Sequence, residues 1–385
     1  SEMCIRDRVY YMNIKYFDHA ATTAVAPEVL HEMIPYFSKN YGNASSMYEI
    51  ARISKRAMNE ARAKIAHAIG ASPKEIYFTS CGSESDNLAI KGIAYANKEK
   101  GKHIITSKIE HNAVLNSCER LEEQGFEITY LNVDQNGFVN LEELKNAIRE
   151  DTILITIMFA NNEVGTIEPV EKIAEIAKNN NIIFHTDAVQ AIGNVRIDVK
   201  KMGIDALSMS AHKFYGPKGI GALYVRDDVN FQRIQDGGHQ ERDKRAGTEN
   251  VAEIVGMGKA IEMAYKNFDE HCNYLRDLRD YYIAKVEREI PNAKLNGDRE
   301  KRLPGNANFS FEGLNGEKIL FTLDLHGICA SAGSACATGS LLPSHVLSAM
   351  GVPEIFASGT LRTTFGMENT KEDIDYLVEC LKKIK

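Results

Sequence analysis

Between Ile76 and Ser210 the chain repeats one pattern: a short apolar run, a polar turn, then an amphipathic stretch of helical period. Ile76-Tyr77-Phe78-Thr79 leads into a stretch near Glu84 to Lys98. Ile104-Ile105-Thr106 leads into one near Asn112 to Gln124, and Ile128-Thr129-Tyr130-Leu131 into one near Leu141 to Arg149. The run Ile153 to Met158 precedes Val170 to Lys178, then come Ile182-Ile183-Phe184 and the short strand pattern Asp205 to Ser210. Such alternation predicts an α/β fold, with a large domain whose mostly parallel sheet is flanked by helices. Ligands of such sheets gather outside the carboxyl ends of the strands, so the polar residues just past each run are where chemistry is expected.

From about Glu249 the pattern changes. A long helical region runs through Glu262, His271 and Glu287 toward Pro291. Short strands (Asn308-Phe309-Ser310-Phe311), a helix near Glu317 to His326 and a last helix near Glu372 to Ile384 follow. This reads as a smaller α+β domain. At 385 residues the chain has room for about two domains. The expected division is a large domain over 26–262 and a small one over 263–385, joined by an N-terminal segment over 12–25. Residues 1–11, beginning Ser1-Glu2-Met3-Cys4-Ile5, read like a sequencing adapter translated in frame, and Met12 is the expected natural start.

Composition excludes several classes. A formal net charge of -7 leaves no broad basic face for nucleic acid. No apolar run approaches the roughly 20 residues of a membrane span. Seven cysteines lie far apart, which favours a reducing, cytoplasmic location over a disulfide framework.

The chemistry-bearing residues fall at the strand ends. Lys213 lies in Ser210-Ala211-His212-Lys213-Phe214-Tyr215-Gly216-Pro217, and Asp187 in His185-Thr186-Asp187-Ala188-Val189-Gln190. Alone, Lys213 reads as a surface lysine before a Gly-Pro turn. Paired with a strand-end Asp it suits pyridoxal 5'-phosphate: the amine forms a Schiff base with the aldehyde, and the carboxylate keeps the pyridine nitrogen protonated. In Thr79-Ser80-Cys81-Gly82-Ser83-Glu84-Ser85-Asp86, small hydroxyl residues at a helix start suit a phosphate, or else Ser83 is a plain N-cap. His111, in Glu110-His111-Asn112-Ala113, could lie over an aromatic ring or simply cap a helix. Asn162, in Asn161-Asn162-Glu163-Val164-Gly165, could reach a phenolic oxygen; otherwise the segment is a turn with a left-handed Asn and a Gly.

Ser331-Ala332-Gly333-Ser334-Ala335-Cys336-Ala337-Thr338-Gly339-Ser340 is a run of small residues that cannot build core. It reads as a flexible loop, and a solvent-reachable Cys336 within it is a candidate nucleophile. Cys118, Cys272 and Cys380 read as small buried hydrophobes and Cys329 as a strand residue. A zinc site from His326, Cys329 and Cys336 fits no common spacing, and no metal is expected. Arg362, in a short strand bounded by glycines, could clamp a carboxylate or be a salt-bridged edge residue.

Taken in this order, these motifs resemble the cysteine desulfurases of the NifS and IscS type, which belong to the class V aminotransferase-like, fold type I pyridoxal phosphate enzymes. The likeness runs from about Tyr16-Phe17-Asp18-His19 to the C-terminus, nearly the whole chain, and includes Tyr41-Gly42-Asn43-Ala44-Ser45-Ser46 and Arg245-Ala246-Gly247-Thr248-Glu249-Asn250. It implies that Lys213 holds the cofactor and later moves protons, that His111 stacks on the ring, that Asp187 pairs with its nitrogen, and that Asn162 and Gln190 contact its phenolic side. Gly82, Ser83, Ser210 and His212 would hold the phosphate, joined by Thr248 from the second subunit of a homodimer. Asn43 and Arg362 would fix the carboxylate of L-cysteine, and Cys336 would accept its sulfur as a persulfide, leaving L-alanine.

The extended loop before Pro343-Ser344-His345 resembles the long-loop class, whose cysteine delivers sulfur to acceptor proteins such as an iron–sulfur scaffold or a tRNA-thiolation protein. The sequence departs from the family where Cys81 replaces a usual Gly, Ser83 a common Thr and Leu342 a common Glu, and it lacks the longer tail of the IscS branch. The alternatives are a selenocysteine lyase or cysteine sulfinate desulfinase on the same fold, and a non-catalytic assembly scaffold.

Overall fold

The computed structural model of the chain describes residues 14–333 and 344–384. They form two compact units. One comprises Thr22–Asn162 and Thr166–Phe268; the other is built from Asp269 onward, with the segment ending at Ala21 and the short piece Glu163–Gly165. The first strand, β1 (Lys15–Tyr16), belongs to this second unit.

The larger unit carries seven strands: β2 (Ile76–Thr79), β3 (His103–Ser107), β4 (Glu127–Leu131), β5 (Thr152–Thr156), β6 (Ile183–Asp187), β7 (Ala206–Ser210) and β8 (Gly221–Val225). Their order in the sheet is β2-β8-β7-β6-β5-β3-β4. Only β8 opposes its neighbours β2 and β7; the other pairings are parallel. The carboxyl ends of β3, β5, β6 and β7 therefore share one edge of the sheet. Every residue of β3, β5, β7 and β8 is buried, because helices cover both faces. Adjacent residues of β5 show the two-residue alternation: Leu154 belongs to the buried cluster that holds Leu88, Ile93 and Val114, and Ile155 to the separate one that holds Met58, Ile65 and Met257.

In the smaller unit β9 (Ala293–Asn296), β10 (Asn306–Phe311) and β12 (Thr360–Thr364) form an antiparallel sheet in the order β12-β10-β9. The two-residue strand β11 (Ile328–Cys329) pairs with β1. Phe17, Tyr282, Phe309 and Phe365 make its aromatic centre, with edge-to-face ring contacts such as Tyr282–Phe309 at 5.7 Å and Phe17–Phe365 at 5.8 Å. Cys118, Cys272 and Cys380 are buried as small apolar groups, and Cys329 is a strand residue.

Candidate active site

The parallel edge of the larger unit brings three of the expected residues together. Asp187 ends β6, is buried, and accepts a hydrogen bond from the Val189 amide at 2.9 Å. Burial pushes its carboxyl up from the ordinary value, while the neighbouring His111, the Val189 amide and Lys213 pull it back. His111 caps the helix Asn112–Glu122, its Nδ1 accepting from the Ala113 amide at 3.1 Å. It is thus both a helix cap and a member of the site. Asp86, His111 and Asp187 each offer one donor atom within 4.8 Å of the others. Lys213 ends the single 3-10 turn Ala211–Lys213 that follows β7, and is half-buried.

Its neighbour His212 meets the Thr22 hydroxyl through Nδ1 at 3.1 Å. Burial, with the charges of Lys213 and Lys218, pushes this imidazole down to about 4, so near pH 7 it is a neutral hydrogen-bonding group.

The helix Gly82–Asn97 begins directly beside this edge. Its N-cap is Cys81, in extended backbone and with no side-chain cap, so the alternative of Ser83 as a plain N-cap falls away: Ser83 is exposed on the first turn. Glu84 folds back to accept from the Ser80 amide at 2.7 Å and pairs with Arg245 at 2.7 Å. Ser83 is already inside the helix, so Glu84 rather than a capping hydroxyl meets the open Ser80 amide. Gly82 has no room for a side chain, since a Cβ there would lie 2.6 Å from Val189 Cγ2 and 3.5 Å from Ser210 Cβ. Ser210 Oγ is buried with no hydrogen-bond partner. Open amides at a helix start, a glycine and an orphaned hydroxyl fit a phosphate, and a buried Asp187 beside a His and a Lys fits a protonated pyridine. The residues therefore suit pyridoxal phosphate.

Other expected residues are more dispersed. Asn162 and Gln190 are half-buried after β5 and β6. Asn161, beside Asn162, donates to the Ile109 carbonyl at 2.9 Å. Neither Asn161 nor Asn162 is left-handed; only Gly165 of that turn is, at φ 80°. Asn43 is exposed, with its Oδ1 accepting from the Ser45 amide at 2.9 Å, and Thr248 is exposed after Gly247. Ser83 and His111 also line a polar pocket of about 410 Å³, with Asn87, Lys91, Asn116 and Arg120.

In the smaller unit Arg362 lies on β12, an edge strand, and donates to Asp18 Oδ1 at 2.7 Å. It is 1% exposed. Cys336 and Leu342 lie outside the described residues, and the zinc alternative rests on Cys336 as well. Sequence reading missed Asp86, whose signal is an acid among Ser85, Ala89 and Ile93 on the apolar face of its helix. It also missed Glu110, where burial raises the carboxyl to about 8 although Ser107 Oγ and the Met158 amide donate to it.

Residues 15–377 match the aminotransferase class-V family. The chain is 57% identical over 371 residues to cysteine desulfurase IscS of Clostridium botulinum, covering 96% of this chain and 94% of that protein. It is 57% identical over 369 residues to cysteine desulfurase IscS of Methanosarcina thermophila, covering 96% and 91%. Among solved structures, a NifS-like protein superposes with a TM-score of 0.91 at 39% identity, over 96% of this chain and 98% of that one. The NifS-like protein of Rickettsia africae gives 0.87 at 31% identity, over 96% and 99%. The likeness spans nearly the whole chain in sequence and in fold, and the chain belongs to the cysteine desulfurases of the aminotransferase class-V family.

Proposed function

We propose that this enzyme converts L-cysteine and the Cys336 thiol into L-alanine and a Cys336 persulfide. The observation that carries the reading is the convergence of Asp187, His111 and Lys213 at one edge of the sheet, in a chain 57% identical to a cysteine desulfurase. Pyridoxal phosphate, when bound, supplies an aldehyde for the amino group and a ring that draws electrons from the substrate Cα.

The protein's own groups do the rest. Asp187 would set a negative charge against the ring nitrogen, His111 would cover the ring, and Asn162 and Gln190 would hydrogen-bond its phenolic side. Gly82, Ser83, Ser210 and the neutral His212 hold the phosphate, with Thr248 contributed by a second copy of the chain. Lys213 anchors the cofactor and, once freed as an amine, moves the proton at the substrate Cα. Asn43 and Arg362 hold the substrate carboxylate. The Cys336 thiolate attacks the substrate sulfur; a sulfur–sulfur bond forms as the substrate carbon–sulfur bond breaks, and the three-carbon remainder is protonated to alanine.

Exposed Leu30, Ile34, Phe37, Tyr41, Met47 and Tyr48 lie close together in sequence and favour a homodimer, since monomers seldom leave such a stretch to water. No helix among the described residues is long and apolar enough to cross a membrane. With the described cysteines free, a cytoplasmic site of action fits, and the sulfur passes to an acceptor protein such as an iron–sulfur scaffold or a tRNA-thiolation protein. The test is direct. The protein loaded with pyridoxal phosphate should release alanine from cysteine in step with sulfide when a thiol reductant is present. Release of alanine at the normal rate by Cys336→Ala would overturn the role of Cys336.

A further inference from the structure

Asp86 has no part in the roles above, yet it lies in a fully buried polar cluster against Asp187. It is 1% exposed, and its Oδ1 has no hydrogen-bond partner. That oxygen lies 3.8 Å from His185 Nε2. The imidazole offers it no positive charge: Nδ1 meets Thr156 Oγ1 at 2.8 Å, Nε2 meets Ser208 Oγ at 3.0 Å, and burial pushes the ring down to about 3. Asp86 and Asp187 offer oxygens within 4.8 Å of each other. Two carboxylates this close, away from water, do not both stay ionised; one keeps a proton.

The surroundings decide which. Asp187 receives the Val189 amide and faces His111 and the Lys213 amine, both of which favour its charged form. Asp86 faces Asp187 on β6, Glu110 in the turn after β3 and Cys81 at the start of its own helix, all opposing its charge, against the Ser208 hydroxyl, and His111 lies within 4.8 Å of both carboxyls. Asp187 thus has a backbone donor and an amine in support of its charge, whereas Asp86 Oδ1 has no donor and lies among other acids. Resting on the cofactor reading of Asp187, we propose that Asp86 is a positioning residue. It is a neutral carboxylic acid that leaves Asp187 as the single negative charge offered to the ring nitrogen. The acid proton gives Asp86 a donor to turn toward Asp187, which a second carboxylate lacks.

Asn is also a neutral donor of the same shape, so Asp86→Asn is the decisive variant. Protein loaded with pyridoxal phosphate should show the same dependence of visible absorbance on pH in Asp86→Asn as in the parent, with cofactor affinity within about threefold. Asp86→Ala, which loses the donor, should bind the cofactor about tenfold or more weakly, with a displaced absorbance profile. In the infrared difference between parent and Asp86→Asn near pH 7, the parent should carry the carbonyl band of a protonated acid that the variant lacks. Equal loss of affinity in the Asn and Ala variants would mean that a charge at position 86 is needed, and would overturn the proposal. So would an unchanged Asp86→Ala, or a difference spectrum without the acid band. If the parent takes up no pyridoxal phosphate, the cofactor reading fails, whereas the infrared band still decides whether Asp86 is the neutral member of the pair.

Discussion

Glu241 grips Arg62 through two hydrogen bonds of 2.6 and 2.7 Å, with both side chains buried. The same carboxylate accepts from the Phe78 amide at 2.8 Å, and Arg62 also donates to the Ile76 carbonyl at 2.6 Å. Both backbone contacts are to β2, which leads into the Gly82 helix start. Glu241, Arg242 and Asp243 take positive φ values of 43, 58 and 64°, a left-handed run that costs non-glycine residues about 1–3 kcal/mol each. The ion pair offsets that strain and ties the segment leading to Arg245 and Thr248 to the sheet. Removing one partner strands a buried charge, so Glu241→Ala should cost about 3–5 kcal/mol in denaturant unfolding. A double replacement with Arg62→Met and Glu241→Leu should recover much of that loss, because neither charge is then left alone.

Lys213 and Cys336 should separate two functions. Lys213→Ala should lose the visible absorbance of covalently held pyridoxal phosphate, while Cys336→Ala should keep it and yield no persulfide. Asp187→Asn leaves the cofactor nitrogen without a counter-charge, and alanine formation should fall about 10²–10³-fold. Absorbance spectra and alanine release in the three variants check this together.

How much of this could be read beforehand depends on whether a residue's role is local. Asp187, Lys213 and His111 were legible because each lies at or within a few residues of the end of an apolar strand, and a parallel sheet carries such positions to one edge. Asp86 was not, because its partner is Asp187 on β6, and only the helix Gly82–Asn97 lying against the sheet joins them. Arg62 and Glu241 are 179 residues apart, and no local pattern marks either as buried. Glu163 looked like the end of an Asn-Asn-Glu turn. Instead it accepts from Ser344 Oγ at 2.6 Å and groups with the smaller unit, a placement set by Asn308 donating to its carbonyl at 3.1 Å.

Glu110 should give stability a dependence on pH of known sign. Burial raises its folded-state pKa from 4.5 to about 8, so between those values the folded protein holds a proton that the unfolded chain has lost. This contribution is favourable below the unfolded value and is lost as pH rises toward about 8. His212 works the other way: its folded value is lowered from 6.5 to about 4, so its contribution is lost as pH falls through that window. Unfolding free energies of the parent minus those of Glu110→Gln should therefore decline between pH 4.5 and about 8 and level off above. A flat difference would show that Glu110 titrates normally.

Gly42 should control the substrate through Asn43. A Cβ at position 42 would come within 2.5 Å of the Ile50 backbone carbon and 2.7 Å of the Ala51 nitrogen, at the start of the helix Glu49–Ala68. Backbone cannot move aside as a side-chain tip can, so Gly42→Ala must displace the loop that carries Asn43 rather than the helix. If Asn43 helps hold the substrate carboxylate, the displacement removes binding energy used equally before and during reaction. KM for L-cysteine should then rise about tenfold with kcat nearly unchanged. Asn43→Ala should reproduce the effect, and cofactor affinity should be the same in both variants. A fall in kcat without a change in KM would assign Asn43 to the chemical step instead of to substrate holding.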